Sequence, residues 1–167
     1  MRNRRLFAVL MIAVAVGGLA LPRFLQAQDA TDAERSAVLA AVDSLFSSMT
    51  RLDTIASRAI LVPGAVFYHI VPGREVRTTV DTAYLRSLAT MTLKLQERIW
   101  SPRVEVHGPI AEVWTRYDFH VDGKFSHCGI DDFSLVKSDG RWRIASATYT
   151  IEQTGCPESP LGPLPAS

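Results

Sequence analysis

Residues 111–150 read AEVWTRYDFHVDGKFSHCGIDDFSLVKSDGRWRIASATYT. From Ala111 to Val121 the side chains alternate. Val113, Thr115, Tyr117, Phe119 and Val121 fall on one face of a strand, and Trp114, Arg116, Asp118 and His120 on the other. Asp122-Gly123 is a strong hairpin signal. Phe125 to Lys137 forms the next strand, Ser138-Asp139-Gly140 the next tight turn, and Arg141 to Glu152 the last strand. Turns this short join antiparallel neighbours, so the stretch is a meander of long strands.

Upstream the period changes. Val38, Val42, Leu45, Met49 and Leu52 recur at helical spacing, which predicts a first helix over Ala33 to Met49. Thr31 and Glu34 have the spacing of a capping box at its start. Asp53 reads as the N-cap of a short second helix through Ile55 and Ala59. Leu61 to Ile70 is rich in strand formers, with Pro63-Gly64 as a turn, and Pro72-Gly73 turns the chain into Glu75 to Val80. Asp81 caps a third helix, Thr82 to Leu95, whose stripe is Leu85, Leu88, Met91 and Leu95. Arg98 to His107 is a strand that Pro102 interrupts by a bulge or at an edge, and Gly108-Pro109 turns it. Helices first and long strands after define an α+β domain with the helices on one face of the sheet.

The ends carry a different message. Arg2, Arg4 and Arg5 precede an uncharged apolar run from Leu6 to Leu21, which Pro22 ends. This is the layout of a secretion signal over residues 1–27, cut after Ala27. A retained anchor is the alternative, but the run is shorter than the roughly 20 residues a spanning helix needs. The first 27 residues hold four arginines and no acid, so removing them takes 18 basic residues to 14 against 17 acidic ones, a net charge of −3. A mildly acidic domain without a basic stripe is not built for nucleic acid. After cleavage nothing ties the chain to a membrane. Cys128 and Cys156 are an even pair in an exported chain, which favours a disulfide over two buried thiols. From Pro157 to Ser167 the chain is Pro, Gly and Ser with too little apolar surface to fold, so disorder is expected.

The order of elements resembles the nuclear transport factor 2-like superfamily, also called cystatin-like or SnoaL-like. The resemblance covers about residues 31–153, implies a domain over 31–156, and rests on the first two helices, on Pro63-Gly64-Ala65-Val66-Phe67 and on the C-terminal strands. The clearest pieces there are Tyr117-Asp118-Phe119, Phe133-Ser134-Leu135-Val136 and Gly140-Arg141-Trp142-Arg143-Ile144. It implies a cone, a curved antiparallel sheet wrapped around three helices with a pocket at one end. The lining expected of such a pocket is Phe67, His69, Val113, Thr115, Phe119, Phe133, Trp142, Ile144, Ser146 and Thr148. Continuing the alternation turns Asp131 and His127 inward too, unless a bulge at Gly129 flips the register.

Asp131, His127 and Tyr117 are the catalytic candidates. A carboxyl group in an apolar cavity has a raised pKa, as an acid or base working near neutral pH needs. His127 would orient it or touch a ligand, and Tyr117 would donate to a carbonyl or oxyanion. Each has a plain structural alternative as a packed or hydrogen-bonded residue. Steroid isomerases of this fold use a tyrosine on the first helix, and Ala33 to Met49 has none. Epoxide hydrolases use an Asp–Arg–Asp set, and Arg116 and Asp118 alternate to the outer face. No metal-ligand spacing or cofactor motif is present, so no metal and no cofactor is expected. The leading expectation is an exported domain binding a small apolar or aromatic molecule, as a homodimer through its sheet. The alternatives are an isomerase, cyclase or hydrolase with an Asp/His pair, and a non-catalytic partner module.

Overall fold

The computed structural model describes residues 23–164, so the expected secretion signal lies mainly outside the described residues. The elements are α1 (Arg23–Thr50), α2 (Thr54–Ile60), β1 (Leu61–Ile70), β2 (Arg77–Val80), α3 (Asp81–Thr90), β3 (Leu95–His107), β4 (Ile110–Val121), β5 (Lys124–Ser138) and β6 (Arg141–Thr150). They build a curved, unclosed α+β sheet in the order β2-β1-β6-β5-β4-β3. All neighbours are antiparallel except β1 and β6, whose parallel pairing makes the sheet mixed. Among the described residues no helix is long and apolar enough to cross a membrane.

The helical stripe packs as its spacing requires. Val38, Val42, Leu45, Phe46 and Met49 are buried against Val113, Phe133, Leu135, Trp142 and Ile144 of the sheet. Phe46 meets Phe133 edge-on at 5.8 Å. Full burial of each such aromatic contributes roughly 2–3 kcal/mol. Asp53 Oδ1 accepts from the Ala56 amide at 2.9 Å and starts α2 as its sequence indicates. A buried Ser48–Ser57 hydroxyl pair at 2.7 Å ties α2 to α1.

Several boundaries differ from the sequence reading. α1 extends back to Arg23, so Thr31 lies inside it rather than at its start. Glu34 instead accepts from Lys137 Nζ at 2.6 Å and from the Trp142 indole at 2.9 Å, pinning the helix to the sheet. Pro63-Gly64 is a break within β1, not a turn between strands, because proline removes one ladder donor and the register shifts between Leu61 and Val66. α3 stops at Thr90, and Leu95 begins β3. Pro102 marks a bulge, where the β3–β4 register shifts between Trp100 and Arg103.

The hairpins follow their turn residues. Asp122-Gly123 and Asp139-Gly140 each carry two successive positive φ angles, the requirement of the tight turn that matches strand twist. On β6 the pairing steps from Leu135↔Ile144 to Ser134↔Ser146, leaving Ala145 as an extra residue. That bulge inverts the alternation. Trp142 and Ile144 point into the core, but beyond the bulge the inward residues are Ala147 and Tyr149, not Ser146 and Thr148. Residues 157–164, where disorder is expected, are described as loop and turn running beside the outer face of the sheet, with the Gly162 carbonyl accepting from Arg98 Nη1 at 2.9 Å.

Candidate functional site

Between α1, α3 and the concave face of the sheet lies a cavity of about 520 Å³. Its walls are apolar: Phe46 and Met49 from α1, Phe67 from β1, Phe119 from β4 and Phe133 from β5. Phe67 stacks on Tyr84 of α3 at 4.9 Å and closes one side. A mostly apolar cavity of this size with few polar groups is the usual form of a small-molecule site.

The polar groups converge from three strands. Asp131 of β5, 2% exposed, lines the cavity together with Glu97 of β3. Among the described residues no lysine or arginine pairs with either carboxyl group. With both ionised, Asp131 Oδ2 has no hydrogen-bond partner, and a proton held between the two carboxyl groups supplies one. Burial pushes Asp131 well above the ordinary carboxyl range, and the Glu97 charge and hydrogen bond push the same way. Burial raises Glu97 to about 7, partly opposed by the hydrogen bond from Asp131. The pair therefore titrates as a unit, and burial together with the mutual repulsion of the two carboxyl groups holds a proton on it well above the ordinary carboxyl range. It offers a donor and an acceptor side by side in an apolar surrounding.

His127 and Tyr117 also line the cavity. No bulge occurs at Gly129, which pairs with Tyr117 in regular register, so Asp131, Gly129 and His127 share the inner face. A side chain at Gly129 would collide with the Thr150 carbonyl and the Tyr117 ring, and this close approach is why the ring fits there. The Tyr117 hydroxyl donates to the Thr150 carbonyl at 2.6 Å, so it braces the end of β6. His127 lies over Phe119 at 4.8 Å with Nδ1 3.0 Å from Ser126 Oγ, and burial lowers its pKa. Asp131 thus meets Glu97, while His127 and Tyr117 hydrogen-bond elsewhere.

The rim is formed by His69, Arg77, Thr79 and Ser87, with the Tyr149 hydroxyl 3.0 Å from His69 Nδ1. Val113, Thr115, Trp142 and Ile144 are buried in the core rather than in the cavity wall. The Thr115 hydroxyl donates to the Trp100 carbonyl at 3.0 Å. Among the described residues no group of three or more His, Cys, Asp or Glu side chains is placed to hold a metal ion.

Sequence reasoning missed Glu97 and Tyr149. Glu97 sat between a helix read too far and a strand begun three residues late. The inward alternation of Leu95, Glu97 and Ile99 was the signal that would have found it. Tyr149 is turned inward only by the bulge at Ala145, and no turn residue there announces it.

The outer face has its own cluster. Cys128 and Cys156 form a disulfide that ties the C-terminal segment to β5. Beside it Arg98 Nε and Nη2 donate to Asp118 at 2.9 and 2.6 Å, and His120 Nδ1 lies 3.5 Å from the same carboxylate.

A helix-backed curved sheet enclosing an apolar cavity is the architecture of a nuclear transport factor 2-like domain. Within that class the chain belongs to the family described as "Putative lumazine-binding", whose model matches residues 33–150. Solved structures agree on the fold. A protein with a cystatin-like fold from Novosphingobium aromaticivorans is 14% identical with a TM-score of 0.63, over 83% of this chain and 94% of that one. A "putative dehydratase" from Streptomyces avermitilis is 18% identical with a TM-score of 0.59, over 72% and 97%. A protein of unknown function from Silicibacter pomeroyi is 25% identical with a TM-score of 0.56, over 73% and 98%. No curated protein matches the chain.

Proposed function

We propose that this chain is an exported binding protein whose cavity takes a flat heteroaromatic molecule with a lactam or imide edge. The observation that carries this reading is that the carboxyl groups of Asp131 and Glu97 line a mainly apolar cavity and neither is paired with a cation among the described residues. A carboxylic acid beside a carboxylate offers one donor and one acceptor, the complement of adjacent C=O and N–H groups. Lumazine, a pteridine dione, has such an edge, and the family description names it. Aromatic walls from Phe67, Phe119 and Phe133 suit a flat ring. Export is supported by the N-terminal sequence and by the Cys128–Cys156 bond. A homodimer through the exposed part of the outer face, around Ile110 and Trp114, belongs to the same proposal and is read from the solution mass.

Calorimetric titration with lumazine tests the site. Binding to the wild type is expected, with about tenfold loss in Asp131→Leu, which removes one half of the donor–acceptor edge and leaves its partner on the ligand unpaired. A folded wild type that ignores lumazine at millimolar concentration overturns the lactam reading.

A second reading is favoured by the same pair's raised pKa values. An acid and a base that exchange one proton near neutral pH are equipped for isomerisation or dehydration. The dehydratase description of the Streptomyces avermitilis relative is in keeping with it. Here Glu97 takes the role first considered for His127, and conversion of a bound compound, lost in Glu97→Gln, is its test.

A further inference from the structure

The cavity is electrically lopsided. Its carboxyl groups, Glu97 and Asp131, stand on β3 and β5. Arg77 lines it from β2, the opposite edge strand, and is solvent-exposed. Arg77 pairs directly with His69 across the β1–β2 ladder, as Thr79 does with Phe67, so these residues share the concave face. No carboxylate pairs with Arg77 among the described residues, and no acid lines the cavity on that side. The nearby polar groups at the rim are the Thr79 and Ser87 hydroxyls and the His69 ring. The Arg77 charge is close enough to add to the burial that lowers the His69 pKa.

We infer that the rim around Arg77 and His69 binds an anionic oxygen group, a carboxylate or a phosphate, carried by the ligand at the end opposite the Asp131–Glu97 pair. The inference rests on the cavity being a ligand site and adds the ligand's charge and direction. An anion entering the other way would meet Glu97 and Asp131 without a cation. A guanidinium left free at a cavity mouth is fitted for bidentate contact with planar anions. From β2 to β5 is three strand spacings, roughly 14 Å along the sheet. An inward-reaching arginine and a bicyclic ring with one anionic substituent together cover that span.

The test uses 2-naphthoate, 2-naphthyl phosphate and neutral 2-naphthamide, titrated calorimetrically into the full chain and its Arg77→Gln variant. The anions are expected to bind about tenfold tighter than the amide, and Arg77→Gln to remove that advantage while leaving the amide unchanged. Arg74→Gln, exposed and outside the cavity, is expected to change nothing. A preference between carboxylate and phosphate identifies the anion, and either one supports the inference. Equal binding of amide and anions, or anion binding indifferent to Arg77→Gln, overturns it while the cavity remains a binding site. Binding of none of the three overturns this inference, while the lactam reading stands or falls on the lumazine titration. If lumazine fails but Arg77-dependent anion binding is seen, the lactam reading falls and this one stands.

Discussion

Asp118 and Asp131 sit on neighbouring strands of one sheet, 4% and 2% exposed, and they have opposite fates. Asp118 faces outward, where Arg98 grips both its oxygens and the C-terminal segment passes beside it. Asp131 faces inward, where its neighbour is another acid. Burial alone therefore does not say what a carboxyl group does. A bidentate guanidinium turns one aspartate into a structural ion pair, and the lack of any cation leaves the other holding a proton. The difference leaves the inner face with an unpaired acidic group and the outer face with a settled ion pair.

The sharpest way to break this contrast is to take away the outer aspartate's partner. Arg98→Met keeps the apolar stem but leaves Asp118 buried without its cation. A loss of about 4 kcal/mol in urea unfolding is expected, because an uncompensated buried charge costs far more than an exposed pair contributes. A cost below about 1 kcal/mol would mean that Asp118 needs no partner, and the two aspartates would no longer differ. Next in size is Cys156→Ser. The disulfide spans 28 residues, and in the chain-entropy picture its loss costs roughly 3.5 kcal/mol. Hydrogen exchange should then show faster exchange in residues 152–164 and unchanged protection of the inner-face strands β4 and β5. Loosening of the cavity floor as well would show that the outer clamp also sets the inner site.

Much of this was legible in the sequence, for reasons that vary by element. The β4–β5 hairpin and the inward direction of Asp131 and His127 followed from alternation plus Asp122-Gly123, since a period of two admits no partial error. The same rule failed on β6, where the single extra residue Ala145 turned Ser146 and Thr148 away and brought Tyr149 in. Nothing in Ile144-Ala145-Ser146 signals a bulge. Leu85, Leu88, Met91 and Leu95 kept helical spacing beyond the true end of α3, which hid Glu97. Thr31 lost its capping role because α1 runs back past it, and Glu34 found partners on β5 and β6 that no local pattern contains. The pairing of Asp131 with Glu97 joins two non-adjacent strands, so it is a property of tertiary structure.

The smallest effect bears on the inner aspartate. Folding raises the pKa of both Asp131 and Glu97, the latter to about 7, so the folded chain binds their protons more tightly than the unfolded chain does. The stability this contributes is full below the unfolded values near pH 4 and is lost as pH rises toward and through the folded ones. Asp131→Asn keeps the shape and a hydrogen-bond donor but cannot ionise, so it carries no such penalty. Between pH 5 and pH 8 the wild type is expected to lose stability relative to Asp131→Asn with a slope of up to about 1.4 kcal/mol per pH unit, which favours the variant at the alkaline end. Parallel stability curves for the two proteins would mean that Asp131 ionises in the folded state as readily as in the unfolded one. The inner carboxyl group would then be as settled as the outer, and the donor–acceptor edge on which the ligand reading depends would not exist at neutral pH.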